Sequence, residues 1–207
     1  IQSGQYQHIL TDDGIAGVTS NPSIFGKSIS TGHAYDEQIT QLLNEGKDTS
    51  AVYEGVVIQD IRTVADMLRP VFERTEGQDG YVSLEVSPDL SHDTEGTLSE
   101  ARRFWKMVDR PNLMIKIPAT PEGIPAIKQA ISEGMSINVT LIFSLDSYRA
   151  VADAYLSGLE ERNGRGEDIS KMASVASFFV SRVDTLVDQL LEDKIKATSD
   201  TSEQQKL

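Results

Sequence analysis

The stretch "LMIKIP", residues 113–118, decides which kind of sheet the sequence predicts, because apolar and polar side chains alternate along it. Every second residue from Leu113 is aliphatic, while Met114 and Lys116 fall on the opposite face. Lysine is almost never fully buried unless its charge is paired. The stretch therefore predicts a buried strand with the lysine amine on one face. It also predicts a partner or a function that compensates for burial of that amine.

Two other runs, "YVSLEVS" (residues 81–87) and "SINVTLI" (residues 136–142), repeat the alternation. Strands of an open, doubly wound sheet are covered by helices on both sides and are apolar on both faces. A barrel instead has an outer face for helices and an interior that accommodates polar side chains. The polar positions are Ser83, Glu85, Asn138 and Thr140, and they oppose apolar positions that include Leu141. We therefore predict a barrel.

The order of elements indicates an α/β fold in a single domain, residues 1–207. Strand-like runs lie near 15–20, 81–87, 112–118, 136–142 and 172–179, and helical patterns separate them. Strands that alternate with helices predict βαβ units and a parallel sheet. One of these helices, in "TPEGIPAIKQAISEG", is predicted to have Thr120 as its N-cap, Pro121 at its first position and Gly134 beyond its end.

The predicted barrel is incomplete. A (β/α)8 barrel typically has about 250 residues, and this sequence of 207 residues contains strand patterns for about five βα units. We therefore expect the sequence to be part of a longer protein, with one more strand upstream and two downstream. If it is not, either another copy of the chain, as a homo-oligomer, or rearranged segments should close the open edges, and activity should be very low. The polar final stretch, residues 197–207, is predicted to be mobile.

Composition excludes several classes of partner. The net charge is −13, so the surface should repel nucleic acid and anionic membranes. No apolar run approaches the roughly 20 residues needed to cross a bilayer. The sequence has no cysteine and shows no secretory signal, which predicts a cytoplasmic protein. An anionic substrate would need a local positive site. The three histidines are scattered, which predicts a surface position for each and no metal site.

The polar inner face suggests amine chemistry that needs no cofactor. Burial favours the uncharged form of an amine, and an uncharged lysine forms Schiff bases with carbonyl compounds. Such a reaction needs acid and base groups near the amine. Glu85 and Thr140, on the strands before and after Lys116, are placed to hold and activate a water. The alternative for Glu85 and Lys116 is a buried ion pair with only a structural role.

Five motifs stand along nearly the whole chain: "DGIAGVTSNPSIFGKSI", "DGYVSLEVSPDL", "LMIKIPATPEG", "INVTLIFS" and "SFFVSRVD". Together they resemble the transaldolase family, in the order expected of it. Two segments, "GVTSNPSIF" and "DGYVSLEVSP", resemble the longer bacterial transaldolases more than the short fructose-6-phosphate aldolases. The resemblance implies a (β/α)8 barrel of the class I aldolase type. It also implies transfer of a dihydroxyacetone unit between sugar phosphates through a lysine Schiff base.

The resemblance also implies a role for individual residues. Lys116 matches the Schiff-base lysine, Glu85 its acidic partner, and Thr140 the hydroxyl that shares the catalytic water. The substrate-binding positions it implies are Asn21 and Asn138 for the dihydroxyacetone hydroxyls, Ser177 near the substrate carbonyl, Phe179 on the pocket wall and Arg182 for the phosphate. Without the resemblance, Arg182 would be read as a solvated residue at a helix end.

The sequence departs from the family at a catalytic aspartate, which the family carries on a first strand. Asp12 and Asp13 lie in "LTDDGIAG", which matches a loop before the second strand, so neither is assigned that role. A later basic residue that binds phosphate is also missing. Two other functions therefore stay open beside transaldolase: an aldolase of the fructose-6-phosphate type, and a catalytically impaired part of a barrel.

Overall fold

A computed structural model of the protein describes residues 5–198 and residue 202. Those residues form one parallel sheet of five strands, β1 to β5, in which the spatial order of the strands is their order along the chain. The predicted mobile end, residues 197–207, lies mostly outside the described residues. The strands are β1 (Val18–Thr19), β2 (Val82–Glu85), β3 (Leu113–Pro118), β4 (Ile137–Ile142) and β5 (Ser174–Phe178).

Helices connect the strands. α1 (Gln5–Asp12) precedes β1, and a short 3-10 helix (Pro88–Leu90) precedes α5. Asp12 is the last residue of α1, so it does not lie in the loop to which the sequence assigned it. The remaining helices are α2 (Pro22–Ser30), α3 (Asp36–Asn44), α4 (Thr49–Arg74), α5 (Thr94–Val108), α6 (Gly123–Ser132), α7 (Leu145–Gly164) and α8 (Val180–Ala197).

Helix-covered, apolar side chains form the outer face of the sheet. Leu113, Ile115 and Ile117 of β3 are fully buried in the main hydrophobic core. Full burial of each such side chain contributes about 1.5–3 kcal/mol of hydrophobic free energy. The predicted α/β architecture of barrel type is therefore confirmed over five βα units, with the polar positions left on the inner face.

The register of the sheet aligns the polar inner positions. Glu85 of β2 pairs with Lys116 of β3, and Lys116 pairs with Asn138 of β4. Paired residues on adjacent strands project to the same face, so the carboxylate, the amine and the amide form a row across the interior. The sequence predicted the strands, and the parallel pairing places these three groups side by side.

A β-bulge makes the sequence prediction wrong at Leu141. Strict alternation put Leu141 on the apolar outer face, but the register shifts between Val139 and Ile142. A bulge adds one residue to a strand and reverses the alternation beyond it. Leu141 therefore adopts a left-handed backbone with φ of 59° and is 40% exposed, while Ile142 takes the buried position.

The start of α6 also differs from the sequence prediction. The helix begins at Gly123, and Pro121 lies in the turn before it. Thr120 still acts near the helix start, because its hydroxyl accepts a hydrogen bond from the Gly123 amide at 2.9 Å. A Cβ at position 123 would lie 2.1 Å from the carbonyl oxygen of Pro118, so glycine permits this close approach of α6 to β3. Gly134 follows the helix with φ of 94°, as predicted.

Candidate active site

Lys116 is held on the inner face by one group from β2 and one from the end of β1. Its ammonium donates to Oε2 of Glu85 at 3.2 Å and to the carbonyl oxygen of Ser20, just after β1, at 3.4 Å. The lysine is 8% exposed, and its partner Glu85 is half-buried. The prediction that the Lys116 amine and the Glu85 carboxylate lie next to each other is confirmed.

The contact between Lys116 and Glu85 gives the amine a proton acceptor within hydrogen-bonding distance. A buried ion pair is weak support for a purely structural role, because desolvation of two charges offsets most of their attraction. Both side chains keep some exposure toward the inner face, 11% for Lys116 and 15% for Glu85. The pair is therefore nearly buried and keeps only a small exposed area on the inner face.

Asn138 lies beside Lys116 in the next strand and is bound on both sides by serines. Its Nδ2 donates to Oγ of Ser83 at 3.0 Å, and its Oδ1 accepts from Oγ of Ser177 at 3.0 Å. Asn138 and Ser177, both expected at the site, thus contact each other directly. Ser83 was not selected from the sequence, although its place two residues before Glu85 on the same polar face was a signal.

Thr140 occupies the inner position two residues beyond Asn138. It is 1% exposed and aligns with Pro118 in the register between β3 and β4. Its carbonyl oxygen accepts a hydrogen bond from the Ala119 amide at 2.8 Å, which fixes the backbone at the end of the two strands. Thr140 is therefore paired with the residue of β3 that lies two positions beyond Lys116. Its role with a water stays a prediction.

Asn21 is the N-cap of α2, which is a structural role the sequence reasoning did not assign to it. Its Oδ1 accepts a hydrogen bond from the Ile24 amide at 2.8 Å. Because the amide oxygen is engaged in this cap, Nδ2 is the part of the side chain that remains to donate to a ligand. Asn21 therefore combines a capping role with a position beside the site.

Two cavities flank the row of polar side chains. One, of about 360 Å³, lies beyond the end of β2, and Asn21 and Glu85 line it together with residues of α4 and α5. The other, of about 390 Å³, follows the inner face of the sheet and is lined by Ser83, Asn138 and Ser177. Both volumes suit a small-molecule ligand. On the sheet, Lys116 lies between the two cavities' lining residues, because it pairs in register with Glu85 of the first cavity and with Asn138 of the second.

Phe179 and Arg182 lie at the start of α8. The Phe179 ring stacks on Phe143 with a centroid distance of 5.2 Å, and the Arg182 guanidinium lies 4.7 Å from the centre of the Phe179 ring. Arg182 is exposed in the first helical turn, and no carboxylate of the described residues forms an ion pair with it. A helix N-terminus with a guanidinium suits a phosphate, although a solvated helix-end arginine has the same exposure.

The histidines lie on the surface, as the sequence predicted. His8, His33 and His92 are all exposed, and each contacts an acidic side chain. Within residues 5–198 and residue 202, no three histidine, aspartate or glutamate side chains are grouped so that they could hold a metal ion. Over the same residues, we also find no helix with the length and hydropathy needed to cross a bilayer.

The sequence matches a family model for transaldolase/fructose-6-phosphate aldolase over residues 1–206. The chain belongs to this family. A transaldolase of Trichodesmium erythraeum is 48% identical over all 207 residues, which are 54% of that relative. A transaldolase of Thermobifida fusca is 55% identical over 92% of the chain and 52% of the relative. A transaldolase of Saccharopolyspora erythraea is 53% identical over 93% of the chain and 52% of the relative.

Membership of the transaldolase/fructose-6-phosphate aldolase family confirms the resemblance that the five motifs indicated. The chain spans about half the length of the curated relatives it matches. Its five βα units agree with the barrel that the resemblance implied. The roles of the individual site residues stay predictions, because the comparisons concern whole chains and the geometry shows positions.

The capping role of Asn21 can be tested by substitution. Asn21→Ala removes the cap of α2 and should lower the free energy of unfolding by about 1 kcal/mol. Asn21→Asp keeps an oxygen that accepts from the Ile24 amide, so its stability should stay close to that of the native chain. Urea unfolding followed by circular dichroism measures the free energy of unfolding of both variants. Equal losses of stability in the two variants would show that the carboxamide is needed for something other than capping.

Proposed function

We propose that the protein acts as a transaldolase, the activity named for its relatives. The observation that carries the proposal is the position of Lys116, whose amine lies on the polar inner face in contact with Glu85 and in register with Asn138. An amine with an adjacent carboxylate and nearby amide and hydroxyl groups is the arrangement that Schiff-base chemistry on a sugar needs.

In the proposed reaction, Nζ of Lys116 attacks the carbonyl carbon of a ketose phosphate, and loss of water gives a protonated imine. The imine withdraws the electron pair of the adjacent carbon–carbon bond, which breaks once the hydroxyl of the departing part gives up its proton. Glu85 accepts this proton through a water shared with Thr140. The aldose leaves, and the three-carbon enamine remains on the lysine.

The second half of the proposed reaction reverses the first with a different aldehyde. The enamine attacks the acceptor carbonyl, Glu85 returns the proton through the water, and hydrolysis of the new imine frees Lys116. Nδ2 of Asn21 and the amide of Asn138 hold the dihydroxyacetone hydroxyls, and Ser177 lies near the carbonyl side. Retention of the enamine until an acceptor arrives distinguishes a transferase from an aldolase.

Sugar phosphates are the proposed substrates, with Arg182 as the phosphate-binding residue and Phe179 on the pocket wall. In a chain of net charge −13, a phosphate dianion needs such a local cation. The proposed reaction converts sedoheptulose 7-phosphate and glyceraldehyde 3-phosphate to erythrose 4-phosphate and fructose 6-phosphate, in the pentose phosphate pathway of the cytoplasm. No cofactor, metal, nucleic acid or membrane enters the proposal. A homo-oligomer remains part of it, because the described side chains of α8 include none that is buried.

An aldolase of the fructose-6-phosphate type is the second candidate, favoured by the double name of the matched family. A catalytically impaired barrel is the third, and it concerns the five described βα units taken alone. Product analysis separates all three. With fructose 6-phosphate alone the transaldolase should release little dihydroxyacetone, and addition of erythrose 4-phosphate should yield sedoheptulose 7-phosphate. Dihydroxyacetone release without an acceptor would identify an aldolase, and no product in either case would identify an impaired barrel.

Arg182→Ala should selectively weaken the use of phosphorylated substrates. Loss of a charge-assisted contact to phosphate should lower kcat/KM for fructose 6-phosphate by about 10-fold or more, with little change for unphosphorylated dihydroxyacetone as donor. Arg149→Ala is the matched control, since Arg149 is an exposed arginine in the first turns of α7 and pairs with Asp146. Equal losses for both donors would assign Arg182 a structural role instead.

A further inference from the structure

The side-chain amide of Asn138 is clamped between two hydroxyl groups from different strands. Asn138 is 6% exposed, with Nδ2 bound to Ser83 of β2 and Oδ1 bound to Ser177 of β5. Ser83 is itself 4% exposed, and its carbonyl oxygen accepts the Ser20 hydroxyl at 2.7 Å. We call Ser83 and Ser177 the clamp of Asn138. The family resemblance assigned Ser177 to the substrate site, but it assigned no role to Ser83.

The bond between Ser83 and Asn138 links two strands that are not neighbours, because β3 lies between them. In a (β/α) barrel, inward side chains of alternate strands share a layer of the interior. Ser83 of β2 and Asn138 of β4 belong to such a layer. The contact of Lys116 with the carbonyl of Ser20 links β3 to the end of β1 in the same way.

A buried asparagine needs such partners to present one defined face. The two ends of its amide have nearly the same shape, and rotation by half a turn exchanges a donor for an acceptor. Ser83 takes one Nδ2 hydrogen, and Ser177 fills one position on Oδ1. The second Nδ2 hydrogen and the second lone pair of Oδ1 are then left in fixed directions for a ligand.

We propose that Ser83 is a positioning residue, which fixes the orientation of the Asn138 amide for the substrate and acts on the reaction only through Asn138. This inference rests on the proposed Schiff-base function. Ser83 suits the role because its hydroxyl already binds Nδ2 of Asn138 and the residue is only 4% exposed. Without Ser83, the Asn138 amide keeps only one of its two clamps, and a site group displaced by about 1 Å can cost about 100-fold in rate.

The kinetic test is a double-mutant cycle on Ser83 and Asn138. Ser83→Ala should lower kcat/KM for fructose 6-phosphate by about 10-fold or more. In the Asn138→Ala background the same change should alter kcat/KM by less than about twofold, because the residue through which Ser83 acts is gone. Ser83→Cys, which keeps the branching of the side chain but places a larger and weaker acceptor there, should lie between the native chain and Ser83→Ala.

Ser132→Ala is the matched control. Ser132 is a buried serine of α6 that lines neither cavity, and its hydroxyl donates to the carbonyl of Gln129 at 2.9 Å, so the change removes a serine hydrogen bond away from Asn138. Its kcat/KM should stay within about twofold of native. A similar loss in Ser132→Ala and Ser83→Ala, or an undiminished effect of Ser83→Ala in the Asn138→Ala background, would overturn the inference.

A second readout does not depend on turnover. The side-chain amide signals of Asn138, assigned by their loss in Asn138→Ala, should shift and exchange faster with water in Ser83→Ala, and should be unchanged in Ser132→Ala. Unchanged signals in Ser83→Ala would overturn the clamp whether or not the chain is active. If the native chain shows no turnover while the signals respond as expected, the proposed function fails and the clamp stands.

Discussion

The ion pair between Lys116 and Glu85 is the constraint on which the rest of the structure depends. Two charged groups on adjacent strands need a face of the sheet that helices do not cover, while Leu113, Ile115 and Ile117 of β3 fill the core on the other face. That division of faces is the one found in a barrel, which has helices outside and can hold polar side chains inside. It also leaves the amine in contact with polar groups on the inner face.

The geometry of the candidate site is a property of the sheet register, because each side chain comes from a different strand. Glu85, Lys116 and Asn138 follow one another across β2, β3 and β4, and Ser177 adds β5. A slip of one residue in any of these strands would turn the site side chain of that strand to the outer face. Stability of the outer core and precision of the inner site are therefore coupled through the same hydrogen-bond ladders.

Sequence alternation was sufficient to predict the two faces, the strands and the pair of Lys116 with Glu85, because all of these follow from the period of a strand. It was insufficient at Leu141, where a bulge depends on how two strands meet. The capping role of Asn21 was missed because the motif was read for chemistry. The spacing from Glu85 placed Ser83 on the polar face, but its bond to Asn138 crosses an intervening strand, so the sequence did not indicate its partner.

The most direct test of this account is to identify the lysine that forms the covalent intermediate. The chain is incubated with fructose 6-phosphate, reduced with borohydride, digested and analysed by mass spectrometry. We expect one reduced adduct on the peptide that contains Lys116, and none on the peptide of Lys128, which pairs with Glu161 outside the site. An adduct on Lys128 or another lysine, or no adduct in a folded chain, would contradict the central role of Lys116.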